Sequence, residues 1–128
     1  MGRAMGNTAT LDRYLCAILA LKEKYFCVRS VDVAHFLGCS RATVSAVVRQ
    51  LTETALLRVG QDGDLMLTPE GEGRARRHEE RRRFFLSLLS AAGAEPAAAE
   101  AEAAALGQAL SDGSFEKLKM YLAAQKQE

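Results

Sequence analysis

Few side chains in this sequence offer covalent or metal chemistry, and their spacing is poor for it. There are three cysteines, Cys16, Cys27 and Cys39. Their number is odd and no Cys-x-x-Cys spacing occurs, which argues against a disulfide framework and against a zinc ribbon. No nucleophile–base pair, Gly-rich phosphate loop or pair of catalytic carboxylates is recognisable, so an enzyme is the least favoured class. What the sequence does offer is recognition. The stretch GCSRATVSAVVRQL, Gly38 to Leu51, carries Val44, Val47, Val48 and Leu51 at helical spacing. Its other side presents Ser40, Arg41, Ala42, Thr43 and Ala46. The major groove of DNA is about 12 Å wide and just admits a helix, so bulk on the outward face would hold the backbone away from the bases. Small side chains remove that obstacle. Arg41 can reach guanine or a phosphate, and Thr43 and Ala46 can touch a thymine methyl. Arg29 and Arg49 are the expected phosphate contacts. For any one of these residues a solvated helix face is an adequate explanation. The whole run, set after a glycine turn and before a hairpin, favours close approach to a duplex.

Positioning that stretch requires a particular set of elements. Leu11, Tyr14, Leu15, Ile18 and Leu19 repeat with a helical period and predict a first helix over residues 11–25, with Thr10 as its N-cap. Tyr25 to Val28 breaks the period and reads as an extended connector. Ser30 is expected to cap a short second helix, Val31 to Leu37, which Gly38 stops. Ser40 caps the third, over about 41–55. Two helices about a tight glycine turn are a helix-turn-helix. Leu56–Val59 and Leu65–Leu67 flank Gly60–Asp64 and predict a β-hairpin, which makes the unit a winged helix. The acidic turn of this wing disfavours a role in the minor groove. Thr68-Pro69-Glu70 starts a fourth helix reaching about Ala91. Its arginines, from Arg74 to Arg83, are offset by Glu70, Glu72, Glu79 and Glu80 and read as a solvated face. An Ala/Glu-biased helix, Pro96 to Leu110, follows, and then a last helix, Phe115 to about Gln125, capped by Ser114.

The expected fold class is therefore mostly α: an N-terminal winged helix-turn-helix followed by a helical dimerisation domain. The organisation read from the chain is a flexible arm over residues 1–10, the winged-helix domain over 11–70 and the helical domain over 71–128. In the last of these, the alanines from Ala97 to Ala105 allow close approach of a neighbouring helix, and Leu106, Leu110, Phe115, Leu118 and Leu122 supply bulk for a dimer contact. A length of 128 residues is enough for a real core without staples. The net charge of +1 neither favours nor excludes nucleic acid, because a DNA binder needs its basic charge on one face rather than in excess. No apolar run approaches membrane-spanning length and no signal-peptide pattern opens the chain, so a cytoplasmic location without membrane contact is expected.

Five segments, DRYLCAILAL, VRSVDVAHFLGCSRATVSAVVRQL, LMLTPEG, RRHEERRRFFLSLL and ALSDGSFEKL, together resemble the DtxR/MntR family of metal-responsive repressors over about residues 11–118. The resemblance implies a winged helix joined to a helical dimerisation domain, in the short form without a third, SH3-like domain. It also implies a metal site between the first helix, the fourth helix and the Ala-rich helix, built from carboxylates, His and sometimes Met or Cys. Carried over position by position, the His of the fourth helix is His78. The acidic or Met position before the first helix's Tyr is Arg13, and the Glu three residues on is Cys16. The later Glu-x-x-Glu-His constellation falls on Ala104, Gly107 and Gln108, and an acidic position one turn after His78 is Arg82. A guanidinium stays protonated and cannot ligate a cation. Most of the implied ligands are thus absent and this region reads as degenerate. The arginines either replace the ion's charge or point to solvent.

The expected function is a DNA-binding transcriptional regulator, a repressor of the DtxR/MntR type, acting on double-stranded DNA as a homodimer. Its metal control is lost or altered and no cofactor is required. Two alternatives stand beside it. One is a metal-dependent repressor with a shifted site for a divalent transition metal such as zinc, drawing on Cys16, His78, Glu100 and Glu102. The other is a winged helix used for protein interaction, without DNA affinity.

Overall fold

The computed structural model describes residues 8–126. It contains α1 (Thr8–Lys24), α2 (Ser30–Leu37), α3 (Arg41–Glu53), β1 (Leu57–Val59), β2 (Leu65–Leu67), α4 (Pro69–Ala91), α5 (Pro96–Ala109) and α6 (Asp112–Lys126). The chain divides into two compact units, Met1–Arg77 and His78–Glu128, so that the division falls within α4. Residues 8–10, read from sequence as part of an arm, belong to α1. Thr10 therefore sits inside that helix and is not its cap. The rest of the expected arm lies outside the described residues.

The first unit is built on apolar stripes of helical period. Leu11, Tyr14, Leu15, Ile18 and Leu21 of α1 pack with Val33 and Ala34 of α2 and with Val44, Val47 and Leu51 of α3. Val28, Leu56, Leu57, Leu65 and Ala75 close this core. Burial of each large apolar side chain contributes about 1.5–3 kcal/mol. The hairpin is antiparallel, with Leu57 opposite Leu67 and Val59 opposite Leu65. Its turn uses left-handed backbone at Asp62 (φ 64°) and Gly63 (φ 78°), a conformation glycine takes without strain and Asp tolerates better than most residues.

The expected caps are partly redistributed. Ser40 is the N-cap of α3, its Oγ accepting from the Thr43 N–H at 3.1 Å. Thr68 caps α4 by accepting from the Gly71 N–H at 3.0 Å, while its hydroxyl donates to the Ala55 carbonyl at 2.8 Å. At α2 the cap is one residue earlier than expected. Arg29 takes the N-cap position and its N–H donates to the Asp32 carboxylate at 2.8 Å, so Ser30 is already helical. At α6 the helix begins with Asp112, and Ser111 rather than Ser114 is the cap, its Oγ accepting from the Ser114 N–H at 3.1 Å.

In the second unit, Phe85, Ala103 and Phe115 form a small core with Phe84, Leu86, Leu89, Leu110 and Leu118 against it. Phe84 meets Phe115 edge to face at 5.3 Å between ring centres, a favoured aromatic geometry. Arg81 ties α5 and α6 to α4. Its Nη1 donates to the carbonyls of Gly107 at 2.8 Å and Leu110 at 2.6 Å, and Nη2 pairs with Asp112. These are the carbonyls that the end of α5 would otherwise leave unsatisfied. The guanidinium also lies 4.9 Å from the centre of the Phe115 ring. Gly107 makes this approach possible, since a Cβ there would lie 3.0 Å from the Arg81 Cβ.

Candidate nucleic-acid interface

The site begins with α2 and α3, whose axes are bent by 117° about Gly38, Cys39 and Ser40. Gly38 has φ 69°, which lets the chain leave α2 and turn at once. Cys39 packs against the core, its Sγ 3.3 Å from the Tyr14 hydroxyl. Burial, and then this contact, push the Tyr14 phenol above its ordinary pKa. Val44, Val47 and Leu51 anchor α3 from below. Ser40, Arg41, Ala42, Thr43, Ala46 and Arg49 are all exposed. The whole group of sequence-derived reading residues thus shares the solvent side of one helix. The Thr43 hydroxyl is 2.8 Å from the Ser40 Oγ, so the cap also orients one of them.

Arg29 is exposed as well, but it has a partner that sequence reasoning did not suggest. Its Nε donates to the Asp62 carbonyl at 2.6 Å, joining the start of α2 to the turn of the wing. The wing's acidity is likewise less than it looks. The Asp64 carboxylate turns back to the body of the unit, where it accepts from Lys22 Nζ at 2.9 Å and from the Val28 N–H at 3.0 Å. These two donors, Lys22 foremost, hold its carboxyl below the usual carboxylate range.

The arginine-rich run is more than a solvated face. Arg74 pairs at 2.6 Å with Asp12, a carboxylate buried in the first unit. Arg81 is the α5 clamp described above. Arg76 pairs with Glu72 at 2.8 Å on the surface. No spacing rule along α4 marks which arginine is inserted, because the partners lie on other helices.

The expected metal candidates are engaged in protein chemistry. Cys16 Sγ donates to the Ala75 carbonyl at 3.4 Å. His78 Nδ1 lies 3.1 Å from Gln108 Nε2. Glu100 accepts from Arg82 Nη1 at 3.0 Å. Glu102 is exposed. Among the described residues no three His, Cys, Asp or Glu side chains gather as a metal ion requires. Of the expected dimer residues, Phe115 is buried in its own unit, Leu110, Leu118 and Leu122 are half-buried, and Leu106 is exposed.

Two helices bent about a glycine, a capped outer helix with small exposed side chains, and a hairpin directly after them define a winged helix-turn-helix protein. Over 111 residues the chain is 26% identical to the transcriptional regulator MntR of Escherichia coli O6:H1, a match covering 87% of this chain and 72% of that protein. The structure of the manganese regulator SloR matches with a TM-score of 0.77 at 23% identity, covering 88% of this chain and 53% of that one. A manganese-dependent transcriptional repressor solved with manganese matches with a TM-score of 0.73 at 26% identity, covering 88% and 52%. The chain therefore spans about half the length of these two solved chains. No family model matches it. The sequence and structural matches support membership of the DtxR/MntR family. Among the described residues no single helix is long and apolar enough to cross a membrane.

Proposed function

We propose that this chain is a cytoplasmic, sequence-selective DNA-binding transcriptional regulator that represses as a homodimer and needs no metal ion to bind DNA. The observation that carries the reading is the outer face of α3. Six exposed residues, four of them small, stand on a helix fixed from below by Val44, Val47 and Leu51. Arg41 and Arg49 on that helix, and Arg29 beside the wing, supply positive charge on the same unit. In this reading Arg41, Thr43 and Ala46 meet base edges, and Arg29 and Arg49 meet phosphates. The small side chains of Ser40 and Ala42 permit the approach.

Dimerisation is assigned to the second unit. Leu88, Leu106, Met120 and Tyr121 are large apolar side chains left exposed there. Independence from metal rests on the donor set, in which His78 is turned to Gln108 and Glu100 to Arg82.

The test is duplex binding by fluorescence anisotropy across a salt series, in chelator and again with added manganese or zinc. The expected result is an affinity that falls with salt, as phosphate contacts require, and that does not change with the ion. Absence of salt-dependent duplex binding would favour a protein-interaction module. Binding that appears only with metal would favour an ion-dependent repressor.

A further inference from the structure

We infer that Arg82 is a built-in cation, a guanidinium that holds carboxylates of α4 and α5 together in the way a bound divalent ion could. The inference deepens the metal-independent reading above and rests on it. Within the second unit, Arg82 makes a two-pronged pair with Glu79 one turn earlier on α4. Its Nε donates to Glu79 Oε1 at 3.1 Å and its Nη2 to Oε2 at 2.8 Å. Its Nη1 donates to Glu100 Oε1 on α5 at 3.0 Å. One cation thus bridges carboxylates of two helices, as a divalent ion would. The Arg82 and Glu79 side chains are both about three-quarters buried, at 27% and 28% exposure, so solvent screens the pair less than a surface pair. Glu79 also accepts from Arg83 Nε at 2.8 Å. Its carboxyl is held below the ordinary range, first by Arg82.

A guanidinium differs from a bound ion in two respects. It cannot dissociate, and it stays charged throughout the physiological pH range. A helix pair joined by it is closed at every ion concentration. His78 lies one turn before Arg82 on α4, so an imidazole at position 82 would stand at the i, i+4 spacing from it, on the same face of the helix.

The inference is tested by thermal unfolding and by calorimetric titration with zinc or manganese alone, on the wild-type chain and on Arg82→Ala, Arg82→Lys and Arg82→His. The wild-type midpoint should be the same in chelator and in excess ion. Arg82→Ala leaves Glu100 without its cation and Glu79 with Arg83 alone, so its midpoint should fall in chelator and recover part of the loss when either ion is added. Arg82→Lys keeps a fixed charge and should stay indifferent to the ion. It also serves as the reference should Arg82→Ala fail to fold. Arg82→His adds a neutral donor between the carboxylates and should bind zinc at least about tenfold more tightly than the wild type. An Arg82→Ala midpoint that equals the wild type, or that falls without any response to ion, would overturn the built-in cation. So would an Arg82→His variant with wild-type zinc affinity. A wild-type midpoint that rises with ion would instead overturn the metal-independent reading itself.

Discussion

Arg29 Nε donates to the Asp62 carbonyl at 2.6 Å, so the residue that begins α2 also holds the turn of the wing. The carbonyl takes only one edge of the guanidinium. The rest of that cation is available for a phosphate, and the same side chain fixes the wing's distance from the helix-turn-helix. Arg29→Ala should weaken binding to every duplex sequence and reduce the salt slope by about 1. Arg29→Lys, which keeps the charge but loses the planar fork, should restore the slope but not the full affinity. Unchanged affinity of Arg29→Ala at low salt would remove Arg29 from the interface.

The wing is held from its other end by Asp64, and that hold should depend on pH. Lys22 and the Val28 N–H lower the Asp64 pKa in the folded state. A carboxylate with a lowered folded pKa contributes stability above its unfolded pKa, and that contribution is lost as pH falls through the folded pKa. Asp64→Asn should therefore lower the thermal midpoint more at about pH 7 than at about pH 2.5, because the contribution of the wild-type carboxylate declines as pH falls through its folded pKa. Equal losses at both pH values would show that the shape of the side chain, not its charge, matters.

Gly71 sets the distance between the start of α4 and Leu56, in the connector from α3 to β1. A Cβ at this position would lie 2.0 Å from the Leu56 carbonyl oxygen, which is backbone and cannot swing aside. Alanine gains about 1 kcal/mol of helix propensity over glycine. Overpacking of this kind costs about 1–3 kcal/mol or more. The clash wins in the balance, so Gly71→Ala should lower the denaturant midpoint. A midpoint at or above the wild type's would show that α4 shifts freely against the hairpin.

The helix-turn-helix was legible in the sequence because its signals are local. Gly38 and Ser40 sit within a few residues of the groups they cap, and Val44, Val47 and Leu51 repeat with the helix itself. What was not legible depends on partners far along the chain. The run from Arg74 to Arg83 looks like a solvated face by spacing, yet Asp12 on α1 draws Arg74 inward and the end of α5 draws in Arg81. Phe115 reads as available for a dimer contact, because nothing near it in sequence reveals Phe84 and Phe85 packed beside it. Caps misplaced by a few residues, as at Arg29 and Ser111, reflect the several polar side chains around each helix start, any of which satisfies the first turn.

The central claim is that the outer face of α3 reads DNA without an ion, and selection from a pool of random duplexes by the full chain in chelator tests it most directly. The wild-type protein should enrich a two-fold symmetric sequence, with half-site centres about one helical turn, or a multiple of one, apart. Arg41→Ala and Thr43→Ala should each lower the preference for that sequence by about 1–3 kcal/mol for a good base contact, while leaving non-specific binding largely in place. A wild-type pool left at its starting composition, with duplex binding no stronger for one sequence than another, would contradict the account.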